Sequence, residues 1–148
     1  MFNVLRFPKG LLLLCCLILI SFNAFAQTTK VDELLGQLKE SQTDSTKILI
    51  MRKLSAAYSA VDPTKKYYYA NQYRLLAEKN GIDSIAVNAY LDMGISFGIR
   101  GNLDSALHYF NLGFKRSRDI SYTPGLARSY ANIGYALDRL DRKNEAVK

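Results

Sequence analysis

The chain has no tryptophan, one histidine, three prolines and two cysteines in 148 residues. Both cysteines, Cys15 and Cys16, sit in an N-terminal apolar run, so the remainder of the sequence has none. Disulfides, zinc fingers, thiol nucleophiles and redox pairs are excluded from that remainder. The single histidine, His108, lies beside Tyr109 and Phe110 with no carboxylate–histidine pattern near it, and reads as a packing or surface residue. There is no glycine-rich phosphate loop, no histidine-bearing metal motif, and no carboxylate pair singled out by spacing. The expectation is therefore a non-enzyme that uses no cofactor and no metal. Long runs of like charge are also missing; charged neighbours go no further than pairs such as Lys115-Arg116 and Arg142-Lys143. A dispersed charge of this kind reads as a solvated surface, whereas nucleic-acid binding wants a clustered basic stripe.

The segment 1–26 reads as an export signal. Arg6 and Lys9 form a positive start, Leu11 to Ile20 is an unbroken apolar run, and Ala24-Phe25-Ala26 supplies the small residues a signal peptidase needs. Cleavage is expected after Ala26. The apolar run is short for a membrane span of about 20 residues. Leu14, which precedes Cys15, is not the small residue that lipid attachment requires. Removing Arg6 and Lys9, with no acidic residue in the same segment, lowers the formal charge from +7 to +5.

Helical periodicity fills the rest. Positions 27–44 read as an N-terminal helix, with the stripe Val31, Leu34, Leu35 and Leu38, followed by a polar linker. Asp44 or Ser45 is expected to cap a second helix carrying Ile48, Met51, Leu54, Ala57 and Tyr58. Pro63 and Pro124 both stand where a helix should begin, a position that tolerates the missing N–H. The expected third helix carries Tyr69, Ala70, Tyr73, Leu76 and Ala77 and stops at Asn80-Gly81. A fourth runs from about Ser84 to Ile99, a fifth from about Asp104 to Arg118, and a sixth from about Leu126 to Leu140. A seventh begins near Lys143. Tyr67-Tyr68-Tyr69 is read as one or two rings packed between helices with their hydroxyls reaching water. No alternating strand pattern of useful length occurs, so the fold class is all-α, built from helical hairpins.

One motif occurs twice. Tyr90, Met93-Gly94, Ala106 and Leu107 fall in step with Tyr130, Ile133-Gly134, Ala146 and Val147. Self-similarity at a fixed period marks stacked repeats, each of which buries its apolar face only against a neighbour. Small residues at Gly94, Ala106, Gly113, Gly134 and Ala146 let helices approach, and aromatics fill the space beside them.

These residues resemble the tetratricopeptide repeat family. The best copy has Tyr90, Met93-Gly94, Phe97, Gly101, Ala106, Phe110 and Gly113. The next has Tyr130, Ile133-Gly134, Leu137, Asp141 and Ala146. A degenerate earlier copy has Leu54-Ser55, Tyr58, Ala70 and Ala77. Several features depart from the family pattern. The spacing is about 40 rather than about 34. Serine replaces glycine at Ser55, Asp141 replaces the turn glycine of the last copy, and a longer internal turn runs through Asp62-Pro63-Thr64-Lys65-Lys66. The resemblance implies antiparallel hairpins stacked as a right-handed superhelix, an α-solenoid of about two and a half repeats over positions 45–148.

The family lines its concave groove with the first helix of each repeat. Carried over, the groove-facing residues are Arg52, Asn88, Leu91, Asp92, Ile95, Arg128, Asn132, Tyr135 and Arg139. Asn132 stands where relatives bind a peptide backbone, and Arg128 and Arg139 suit an acidic ligand. Residues Tyr90, Gly94, Phe97, Gly101, Ala106, Phe110, Tyr130, Gly134 and Ala146 are expected to pack the repeats. The implied function is an exported, most simply periplasmic, scaffold binding a peptide or protein segment, with self-association as a further partner mode. The membrane is engaged only through the signal or a segment further on. The other expectation is a sensor region like the exported repeats of bacterial sensor kinases and regulators of the Bacteroidetes type. Its output domain would then lie beyond residue 148.

Overall fold

The computed structural model describes residues 29–140. Among them the chain is entirely helical, in six helices with no strand. The first, α1, covers 29–40. The others are α2 (Asp44–Ala57), α3 (Pro63–Lys79), α4 (Asp83–Ile99), α5 (Leu103–Asp119) and α6 (Thr123–Arg139). From Pro63 onward the helix starts are evenly spaced, at Pro63, Asp83, Leu103 and Thr123. Each helix is 17 residues long, and the same short turn separates it from the next. Two such units carry Tyr90 of α4 onto Tyr130 of α6, which is the period of the sequence. Seventeen residues give a rod of about 25 Å.

The boundaries follow from local chemistry. Thr43, not Asp44 or Ser45, caps α2: its Oγ1 accepts from the Thr46 N–H at 3.2 Å. Asp44 instead accepts from Asn80 Nδ2 at 3.0 Å and Lys79 Nζ at 3.2 Å, tying the start of α2 to the end of α3. These contacts hold the Asp44 carboxyl below its usual range, the Asn80 hydrogen bond first and Lys79 next. Asp62 caps α3, its Oδ1 accepting from the N–H groups of Thr64 and Lys65 at 3.0 and 3.1 Å. The turn expected to run through Lys66 is therefore shorter, and Thr64 to Lys66 belong to the first turns of α3. Pro63 and Pro124 both fall in first turns. The turns after α3, α4 and α5 share one left-handed residue, Gly81 at φ 67°, Gly101 at φ 78° and Ser121 at φ 55°. Only the last of these bears a Cβ that disfavours the conformation.

Consecutive helices run antiparallel and α4 runs parallel to α6. Ser96 near the end of α4 donates from Oγ to the Pro63 carbonyl at the start of α3, at 2.6 Å. Arg116 near the end of α5 pairs with Asp83 at the start of α4. Asn88 of α4 meets Arg128 of α6, each in the sixth position of its helix. The core is strung along the array. Val31, Leu34, Ile50, Leu54 and Tyr58 join α1 to α2. Ala70, Tyr73, Ala89 and Met93 join α3 to α4. Val87, Leu91, Phe110, Ala136 and Leu137 join α4, α5 and α6.

Close approach is real at Gly94, where a Cβ would lie 2.5 Å from the Phe110 ring and 3.0 Å from the Ala106 carbonyl oxygen. The second copy differs. Among the described residues a Cβ on Gly134 would meet nothing within 4 Å, and Tyr130 is 63% exposed, edge-on to Phe114 with ring centroids 5.0 Å apart. These two residues do not pack one repeat on the next among the described residues, where α6 has α4 and α5 for neighbours and no helix on its other side. The expected export signal, the turn residue Asp141, and the packing residues Ala146 and Val147 lie outside the described residues.

The tyrosine triplet divides by helical direction. Tyr67 hydrogen-bonds hydroxyl to hydroxyl with Tyr109 at 3.1 Å and sits edge-on to Phe97. Tyr69 stacks on Tyr58 with centroids 5.6 Å apart, and Tyr68 is 55% exposed. His108 is exposed and edge-on to Tyr109.

Candidate binding cleft

Four of the residues expected in a groove do converge. Arg52 from α2, Asn88 and Asp92 from α4, and Arg128 from α6 line one open cleft of about 310 Å³, together with Leu49, Lys53 and Ala56. The spacing explains the convergence. Asn88 and Asp92 are four apart on one face of α4, and Arg128 is in register with Asn88 on the parallel α6. The Arg128 guanidinium donates to Asn88 Oδ1 and lies 3.8 Å from Asp92 Oδ1.

Beneath them is Lys66, a residue expected in a turn. It is buried, with its side chain 3% exposed. Its ammonium donates to the Ser55 carbonyl at 3.4 Å and lies 3.9 Å from Asp92 Oδ1. Ser55 in turn donates from Oγ to the Lys66 carbonyl at 3.3 Å, so the serine in the glycine position fastens α2 to the start of α3. Burial pushes the Lys66 ammonium below the usual lysine range, and the Asp92 charge opposes that shift. The signal was legible in principle. Lys66, Ala70, Tyr73 and Ala77 follow helical spacing on the buried face of α3.

Tyr73, fully buried, donates its hydroxyl to Asp92 Oδ2 at 2.7 Å. Burial first, then the charge and the hydrogen bond of Asp92, push that hydroxyl above the ordinary tyrosine range. Asp92 is thus held by Tyr73, Lys66 and Arg128 at once. Among the residues that line the cleft or lie beneath it, Asp92 is the one carboxylate against Arg52, Lys53, Lys66 and Arg128, which leaves the cleft cationic.

The remaining expected residues separate. Ile95, Asn132 and Tyr135 line a second cleft of about 330 Å³, further along α4 and α6, with Ile99, Leu103 and Phe110 among its walls. This part is largely apolar. Arg139 lines neither cleft; it donates to the Tyr135 hydroxyl at 3.1 Å on the exposed side of α6. Leu91, expected to face the groove, has no exposed surface and packs in the core, where a Cβ on Gly113 would come within 2.9 Å of it. It lies on the side of α4 that faces α5.

No family model, no curated protein and no solved structure matches this chain. What the cleft can do follows from its own geometry. It has one guanidinium, that of Arg128, held by Asn88 and Asp92, further cations at Arg52 and Lys53, a buried ammonium beneath them and an apolar neighbour, which together suit recognition of an anionic group.

Proposed function

We propose that this chain is an exported, non-enzymatic helical-repeat module of the tetratricopeptide type, a right-handed superhelix that holds an acidic, partly apolar peptide or protein segment. The segment lies in the cleft between α2, α4 and α6, with its carboxylates toward Arg52 and Arg128. The observation that carries this reading is the convergence of Arg52, Lys53 and Arg128 over the buried Lys66, with a single carboxylate, Asp92, among them. Such a surplus attracts carboxylates and repels basic segments. The Arg128 guanidinium is already held by Asn88 and Asp92, so less rotamer freedom is lost on binding. Leu49, 49% exposed at the rim, and the apolar cleft beyond Asp92 offer contacts to aliphatic side chains of the same segment. The even spacing of the helix starts supports the repeat assignment.

Selection from an immobilised random peptide library tests the proposal. The recovered sequences should be rich in Asp and Glu, and their affinity should fall as salt is raised. Arg128→Ala should lower affinity roughly ten- to hundredfold, the loss of a hydrogen bond to a charged group. The melting temperature should change little, since Arg128 is half exposed and surface pairs contribute about 0–1 kcal/mol. Recovery of neutral or basic peptides, or equal binding by Arg52→Ala and Arg128→Ala, would remove the assignment.

A further inference from the structure

Asp92 is the one carboxylate among the residues that line the cationic cleft, and its two oxygens have different neighbours. Oδ2 accepts from the Tyr73 hydroxyl at 2.7 Å. Oδ1 faces the Lys66 ammonium at 3.9 Å and the Arg128 guanidinium at 3.8 Å. Left to each other, a carboxylate and a guanidinium close to a bidentate pair with N···O of about 2.7–2.9 Å. The Arg128–Asp92 distance is longer than that, so the two attract each other without a hydrogen bond.

The anchors on the two sides differ. Tyr73 has no exposed surface and packs with Ala70, Ala89 and Met93 between α3 and α4, so its hydroxyl cannot follow Asp92 toward the cleft. Lys66 is buried nearby and fixed to the Ser55 carbonyl. Both hold the carboxylate from beneath. On the open side, the Arg128 side chain is 46% exposed and donates to Asn88 Oδ1. Asn88 is set in turn by its own amide, which donates to the Ser84 carbonyl at 2.9 Å. A guanidinium carries five N–H donors, so most of those of Arg128 are left for a ligand.

We infer that Tyr73, which no ligand can touch, is a positioning residue of the cleft: with Lys66 it anchors the Asp92 carboxylate at the floor, so that Asp92 steers Arg128 without capturing it and leaves the guanidinium to a ligand carboxylate. The inference rests on the reading of the cleft as a site for acidic segments, and adds that its affinity is set from beneath by a phenol in the core. Without the Tyr73 hydroxyl, Oδ2 is short of a donor, and Arg128 is an exposed donor close by. The pair then closes, and a ligand must compete with Asp92 for the same guanidinium.

The probe is a fluorophore-labelled glutamate-rich peptide, titrated at low salt into the full chain and followed by anisotropy. Tyr73→Phe should weaken binding about tenfold. A change in the core can also act through the fold alone, so the decisive measurement is a double-mutant cycle with Arg128→Ala. In the Arg128→Ala chain, Tyr73→Phe should have no further effect, since no guanidinium remains to be captured. In the free chain, Tyr73→Phe should shift the side-chain nitrogen signals of Arg128, the mark of a closed pair with Asp92. Lys66→Met removes the other anchor and supplies a second cycle should Tyr73→Phe fail to fold. Its lost charge acts in both backgrounds and cancels, and the remaining coupling to Arg128→Ala should have the same sign. Weakening that is equal with and without Arg128, or binding and Arg128 signals that stay unchanged, overturns the inference while the cleft stands. An Arg128→Ala chain that binds the peptide as well as the unaltered chain removes the reading of the cleft, and the inference with it.

Discussion

The same substitution at two equivalent positions should act with opposite sign. At Gly94 a new methyl would press on the Phe110 ring at 2.5 Å and on the Ala106 carbonyl oxygen at 3.0 Å. Phe110 is only 4% exposed and is held in the core, so the ring cannot swing aside freely. Overpacking of this kind costs about 1–3 kcal/mol, and two close contacts place Gly94→Ala in the upper part of that range. The gain in helix propensity from glycine to alanine returns about 1 kcal/mol. The net expectation is a loss of roughly 1–2 kcal/mol. At Gly134 the methyl meets nothing within 4 Å among the described residues, so the propensity gain dominates and Gly134→Ala should stabilise by about 0.5–1 kcal/mol. Urea denaturation followed by circular dichroism measures both, with the midpoint moving in opposite directions and the slope unchanged. A stabilising Gly94→Ala would refute the close packing of α4 on α5. A destabilising Gly134→Ala would place a neighbour from outside the described residues over Gly134.

Other expectations follow from single groups. Tyr73, kept protonated by burial and by Asp92, contributes stability that is complete below its ordinary value of 10.0 and is lost as pH rises above it. Tyr109, pushed up to about 12 by burial and by its hydrogen bond with Tyr67, acts in the same direction. Tyr73→Phe should therefore flatten the fall in denaturation midpoint above pH 10 while costing about 1–2 kcal/mol at neutral pH; an unchanged alkaline slope would refute the buried hydroxyl. Ser121→Gly should stabilise by about 0.5–1 kcal/mol, since it relieves the left-handed Cβ at some cost in unfolded-state entropy, measured by thermal melting. Lys66→Met should cost little, because Asp92 keeps Tyr73 and Arg128, whereas Asp92→Ala leaves a buried ammonium without its carboxylate and should cost about 3–5 kcal/mol by chemical denaturation. Amides of α4, which packs on α3, α5 and α6, should exchange more slowly than those of α6. Equal protection would mean that α6 is covered on both sides.

Much of the helical layout was legible because it depends on local signals. Asp62-Pro63, Asn80-Gly81 and Gly101-Asn102 each combine a cap or a left-handed turn with a break in periodicity, and the helices begin and end there. The repeat was legible as spacing, and the equal lengths of α3 to α6 account for its period. The finer placements depended on tertiary neighbours. Leu91 and Asp92 are adjacent in sequence, yet one points into the core and the other into the cleft, because the helix turns about 100° between them. Tyr130 matched the motif as well as Tyr90 did, but a motif records what a side chain can pack against, and the segment that follows α6 lies outside the described residues. A lysine beside a turn is ordinarily solvated, and Lys66 is not. Its burial depends on Ser55 and Asp92 arriving from two other helices.

Chemical-shift mapping on the isotopically labelled chain puts the cationic cleft to the test without prior choice of site. A short glutamate-rich peptide is titrated in at low salt, with a lysine-rich peptide of the same length as control. The expected shifts centre on Arg52, Asn88, Asp92 and Arg128, extend toward Ile95 and Tyr135, and are absent with the basic peptide. Shifts confined to α3 and α5, or equal responses to both peptides, would contradict an acidic segment bound between α2, α4 and α6.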